Sequence, residues 1–165
     1  MLPDIESKSA ITHILNQETG NGRAIRAHEN IYGDSIEFAG FDRAVVTGSA
    51  PFEETAGLVA GYAKASAERC SALGFIYATE VTDLLIVSSI GTAVDRSIGV
   101  TENKWVAIHF AQEPDHVAEA GKTILDGFSV EEEDRIIEAA NEMWRLWNRF
   151  FQRLAAETGI GAVAT

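Results

Sequence analysis

The sequence predicts an all-α fold, a helical bundle of about six helices. Three observations predict it. Apolar residues recur at spacings of three and four, residues that start and stop helices bracket those stretches, and no convincing run alternates with a period of two. The trio Ala44, Val45 and Val46 resembles a strand but is too short to pair with anything obvious.

The first helix begins at Pro3, Asp4, Ile5 and Glu6, with proline and acids in its first turn, where the helix dipole favours them. Its narrow stripe is Ile11, Ile14 and Leu15, and it ends near Glu18 because Gly20, Asn21 and Gly22 follow. His13 lies beside that stripe among polar neighbours and reads as a solvated residue. A second helix is expected from about Arg23 to Phe38, with Ile25, His28, Tyr32, Ile36 and Ala39 on one side. His28 therefore faces the core, either as a histidine bonded inside it or as a ligand. The segment from Phe41 to Ala50 reads as a connector. A third helix is predicted over Phe52–Ser66, where Gly57 and Gly61 each cost about 1 kcal/mol and suggest close helix approach.

The fourth helix, from about Ala67 to Ser88, carries the stripe Leu73, Ile76, Tyr77, Glu80, Leu84 and Val87. A carboxylate inside an apolar stripe is costly unless protonated, paired or bound to a cation. No basic residue lies between Leu73 and Ile90, so any partner comes from another helix. Glu80 and Asp83 also argue against this stretch as a membrane span. After an expected loop from Gly91 to Val100, Thr101 caps a fifth helix. On it His109, Glu113 and His116 stand at i, i+4 and i+7, within roughly one sixth of the helix circumference. Two imidazoles and a carboxylate on one face suit iron, manganese or zinc, and they also suit a solvated polar face. Pro114 sits inside this motif, so the helix either bends by about 25° or breaks and restarts. The sixth helix opens with a capping box, Ser129 with Glu132, and runs its stripe through Ile136, Ala140, Met143, Trp144, Trp147, Phe150, Phe151 and Leu154.

Composition bounds the rest. The length of 165 residues suits one domain, expected over residues 1–158 with 159–165 as a mobile tail. A formal charge of -12 argues against nucleic acid and against an anionic membrane surface. The single cysteine, Cys70, excludes an intrachain disulfide and suits a reducing, cytoplasmic setting. No basic stretch followed by an apolar run marks a signal peptide.

Asn16, Gln17, Glu18, Thr19, Gly20, Asn21 and Gly22, then His28 with nine residues between it and Glu18, are similar to a pattern in the haem-oxygenase-like non-haem di-iron oxidases and oxygenases. The resemblance is to the branch of iron-containing redox enzymes. A glutamate in a later apolar helix matches Glu80, and a His-x3-Asp/Glu-x2-His motif matches His109, Glu113 and His116. The order and intervals agree over about residues 11–155.

The resemblance implies a helical bundle that binds two irons through Glu18, His28, Glu80, His109, Glu113 and His116, with Glu80 as the bridge. It implies O2 activation and oxidation of a small organic substrate. Trp105 and Tyr77, each one turn or less from a ligand candidate, line either a substrate pocket or the core. The family usually has two further helices before the Glu18 segment, so a homodimer is expected to cover the face they would occupy. Three other readings stay open: a metal-free binding module, an enzyme of the thiaminase II or quinone-cofactor type, and a subunit completed by a partner. Cys70 is the sole candidate thiaminase-type nucleophile and reads better as a small helix residue.

Overall fold

The computed structural model describes residues 4–99, 102–124 and 127–159. Among them are seven α-helices, one short 3-10 turn and no strand. The all-α expectation holds, and the arrangement is consistent with a haem-oxygenase-like helical bundle. The helices are α1 (Ile5–Glu18), α2 (His28–Phe38), α3 (Arg43–Gly48), α4 (Glu53–Ala65), α5 (Arg69–Ile98), α6 (Lys104–Lys122) and α7 (Val130–Thr158). They fall into two compact units, residues 50–79 with 127–159, and residues 4–49 with 80–124.

In the first unit α4 packs on α7. Ala65, Phe75, Ala78, Ala139, Ala140 and Met143 form its core, with Tyr62, Leu146 and Trp147 packed around them. The Trp147 indole donates to the Tyr62 hydroxyl at 3.1 Å, and that hydroxyl meets Thr79 Oγ1 at 2.6 Å. Gly61 admits the Leu146 side chain, whereas Gly57 faces open space. Only one of the two glycines therefore marks a close approach. The capping box at the start of α7 is present as predicted: Ser129 accepts from the Glu132 N–H and Glu132 accepts from the Ser129 N–H.

In the second unit α6 packs on both α1 and α2. The Asp4 carboxylate caps α1 by accepting from the Ser7 N–H at 2.6 Å. The buried face of α1 is Ser7, Ala10 and Ile14, one turn short of Gln17 and Glu18, while Leu15 points outward. Gly20, with φ +84, turns the chain sharply after α1. A Cβ there would strike the backbone of Arg23, Arg26 and Ala27, so the chain folds back closely on itself.

Four boundaries differ from the sequence reading, and one alternative it left open is decided. The helix expected from Arg23 starts at His28, after the 3-10 turn Ala24–Arg26, and Ile25 is 77% exposed rather than on a core stripe. The connector after Phe41 contains α3, which Asp42 caps through the N–H groups of Ala44 and Val45. The loop expected at Gly91–Val100 is helical as far as Ile98, because the apolar pattern continues and Gly91 packs against Val106. Thr101 lies outside the described residues, and Asn103 is the cap of α6. Residues 160–165 of the expected tail also lie outside them. Finally, α6 runs unbroken through Pro114. Pro114 and Phe110 are exposed, so water can take the bond that the Phe110 carbonyl loses.

Helix α5 is long and apolar enough to cross a membrane by length and composition. Its first-unit segment buries Cys70, Leu73, Phe75 and Ala78, and its second-unit segment buries Val87 and carries Glu80 and Asp83.

Candidate metal centre

Four helices of the second unit bring acids and imidazoles to one place: Glu18 from α1, His28 from α2, Glu80 and Asp83 from α5, and His109, Glu113 and His116 from α6. On α6 the i, i+4, i+7 spacing works as predicted, since all three side chains are buried on one face. His116 is fully buried and Glu113 is 2% exposed. Glu18 Oε2 lies 2.9 Å from His28 Nδ1, and Glu18 Oε1 lies 3.7 Å from His116 Nδ1. His116 Nδ1 also faces Glu80 Oε2 at 3.3 Å and Glu113 Oε1 at 3.5 Å. His109 Nε2 is 3.9 Å from Asp83 Oδ2. The rings of His28 and His109 sit 4.6 Å apart.

These contacts leave much unsatisfied. Among the described residues five buried side-chain N or O atoms lack a hydrogen-bond partner. Four of them are here: His28 Nδ1, Asp83 Oδ2, Glu113 Oε2 and His116 Nδ1. Orphaned buried polar atoms are rare because each costs about 1–3 kcal/mol. Here they converge. Glu18, His28 and His109 form one set of ligand atoms within 4.8 Å of one another; Glu18, Glu113 and His116 form a second; Asp83, His109 and Glu113 form a third. Borderline metals take this mixture of carboxylate oxygen and imidazole nitrogen, so the residues fit a cation.

Protonation tells the same story. Burial pushes the Glu80 and Asp83 carboxyls up, and the neighbouring Glu113 charge adds to it; Asp83 reaches about 7. Burial alone would lower His116, but the carboxylates of Glu113 and Glu80 outweigh it and raise it to about 10. His28 is raised in the same way by Glu18 against its burial. Glu18 is lowered, because His28, His109 and His116 outweigh its burial. His109 alone among the three imidazoles is lowered, by burial, despite its bond to the Trp105 carbonyl. Without a cation the cluster holds extra protons to balance its acids.

All six ligand candidates from the sequence are thus brought together. Asp83 was missed. Its signal is that it stands one turn after Glu80 on the same apolar helix, where by sequence it argues only against a membrane span. Glu80, expected as the bridge, touches His116 and joins none of the three sets, whereas Glu18 and Glu113 each join two. Trp105 packs its ring 4.4 Å from His109 and 5.3 Å from Tyr32. Tyr77 is half-buried in the other unit. Cys70 is 0% exposed, which withholds its sulfur from any substrate and weakens the thiaminase-type alternative.

A cavity of about 830 Å³ lies beside these residues' helices. Phe38 of α2, Ser88 and Gly91 of α5, and Val106, Ala107 and Phe110 of α6 line it. Neither Trp105 nor Tyr77 is in that lining, although Lys104 and Val106, the neighbours of Trp105, are.

Fold and site together define a helical protein with a buried acid–imidazole cluster able to hold metal. The chain belongs to the iron-containing redox enzyme family, whose model matches residues 1–148. No curated protein and no solved structure gives a match.

Proposed function

We propose that this protein is a non-haem di-iron oxidase or oxygenase that uses O2 on a small organic substrate. The observation that carries the reading is the convergence of buried acids and imidazoles from four helices into three sets of ligand atoms, each within 4.8 Å. Family membership supports iron as the metal. Glu18, His28 and His109 would hold one iron, and Glu18, Glu113 and His116 the other, with Glu80 and Asp83 completing the set. Charge favours two cations over one. With the acids ionised and the imidazoles neutral, Glu18, Glu80, Asp83 and Glu113 carry four negative charges, which two ferrous ions balance.

Bound iron would supply the one-electron chemistry that O2 requires. The chain's residues do the rest. Burial on α2 and α6 shields His28, His109, Glu113 and His116 from water, while Glu18 and Asp83 keep a solvent-facing edge. The Trp105 carbonyl accepts from His109 Nδ1–H at 2.7 Å and so leaves Nε2 facing the acids. The cavity beside α2, α5 and α6 receives the substrate. Its apolar wall suits a hydrocarbon portion, and Asp34, Asp95 and Glu102 against Lys104 favour a neutral or cationic molecule over an anion. The reading includes a cytoplasmic setting. It also includes a homodimer, supported by the exposed apolar side chains Ile25, Phe38, Phe41 and Val45.

Anaerobic addition of Fe(II) to the metal-free chain, followed by metal analysis, is expected to recover about two equivalents per chain. Admission of O2 should then be followed by its consumption. Recovery of no iron overturns the reading and leaves a metal-free binding module of the same fold.

A further inference from the structure

Two glutamines hold the outer edges of two of these imidazoles. Gln17 Oε1 lies 2.6 Å from His116 Nε2, and Gln112 Oε1 lies 3.0 Å from His28 Nε2. Each glutamine directly precedes an acid of the cluster, Glu18 and Glu113, and each reaches to a different helix: Gln17 from α1 to α6, Gln112 from α6 to α2. An amide oxygen only accepts, so each ring donates from Nε2–H. A neutral imidazole protonated at Nε2 has its lone pair at Nδ1. In both rings Nδ1 is the atom that faces the carboxylates. His109 is wired the other way, with Nδ1–H on the Trp105 carbonyl and Nε2 toward Asp83.

We propose that Gln17 and Gln112 are positioning residues of the metal centre: they fix the tautomer and ring orientation of His116 and His28 so that both coordinate through Nδ1, while His109 coordinates through Nε2. The inference rests on the metal-centre reading above. The arrangement follows from where the rings are anchored. His116 and His109 share α6, yet they approach the same acids from opposite ends of the imidazole, because one is held by a side chain of α1 and the other by the carbonyl one turn back on its own helix. Removing an outer-edge partner of a ligating imidazole typically weakens metal affinity by about 10–100-fold.

The test uses the full chain loaded with Zn(II), which is diamagnetic. Long-range proton–nitrogen correlation NMR identifies which ring nitrogen of each histidine carries metal and which carries hydrogen; exposed His13 serves as the internal reference. The expected spectrum shows two rings with metal on Nδ1 and hydrogen on Nε2, and one ring with the reverse. Gln17→Leu and Gln112→Leu should each weaken Zn(II) in chelator competition by about 10–100-fold. Gln17→Glu and Gln112→Glu retain an acceptor and should retain Nδ1 coordination. Coordination of His28 or His116 through Nε2, or Leu variants that bind Zn(II) as wild type does, overturns the inference while the metal centre stands. A wild-type chain that takes up no Zn(II) sinks both.

Discussion

Asp83 and Glu113 stand together inside the protein, their ligand atoms within 4.8 Å of each other and of His109, and the pair sets how the metal-free cluster titrates. Burial and the Glu113 charge raise the Asp83 carboxyl from 3.8 to about 7, so the folded chain keeps a proton that the unfolded chain has already lost. A group that binds more protons folded than unfolded lowers stability as pH rises between its two pKa values. His116, raised from 6.5 to about 10, acts in the same direction over a higher range: its contribution is full below 6.5 and lost through 10. Chelator-treated protein should therefore melt at progressively lower temperature from about pH 5 to pH 8. Asp83→Asn should flatten the lower part of that slope and raise the melting temperature near pH 8, while weakening metal binding. Thermal unfolding across pH, with and without added cation, checks both halves. A flat wild-type profile would mean that the two acids are not coupled.

Helix α6 carries three of the seven cluster residues, and its integrity decides their alignment. The Asn103 side chain caps it through the N–H groups of Trp105 and Val106. Pro114 removes one backbone bond on the exposed side and leaves the buried face intact, with His109, Glu113, His116 and Ala120 in register. Pro114→Ala should thus raise stability by about 1–3 kcal/mol and leave metal stoichiometry unchanged. Urea denaturation gives the first quantity and metal analysis the second. A variant that lost metal would show that the proline shapes the site. Helix α5 illustrates the complementary case. Its Glu80 and Asp83 fall in a largely apolar stretch, tolerable because α6 brings His116 to the first and His109 toward the second.

At the scale of the whole molecule the cluster belongs to one compact unit. The other, with Met143 and the aromatic group around Trp147, contributes none of its members. Exposed Phe38, Phe41 and Val45 lie on the unit that carries the site. Light scattering on the purified chain should give twice its mass of 17.8 kDa, and Val45→Asp should return it to a single copy. A wild-type mass of one chain removes the homodimer from the proposal.

The sequence by itself determined the all-α class, the capping box of α7 and the shared face of His109, Glu113 and His116. Those features depend on periods and spacings within a single helix, which the chain order states directly. It also marked Glu80 as a buried acid in want of a partner, since local composition shows the lack of a base. Only the tertiary structure decided that Asp83 joins the cluster, that Gln17 and Gln112 grip two of its imidazoles, and that Ile25 faces outward. Each of these turns on which neighbour a side chain meets across helices, and that geometry is fixed by packing between segments far apart in the chain.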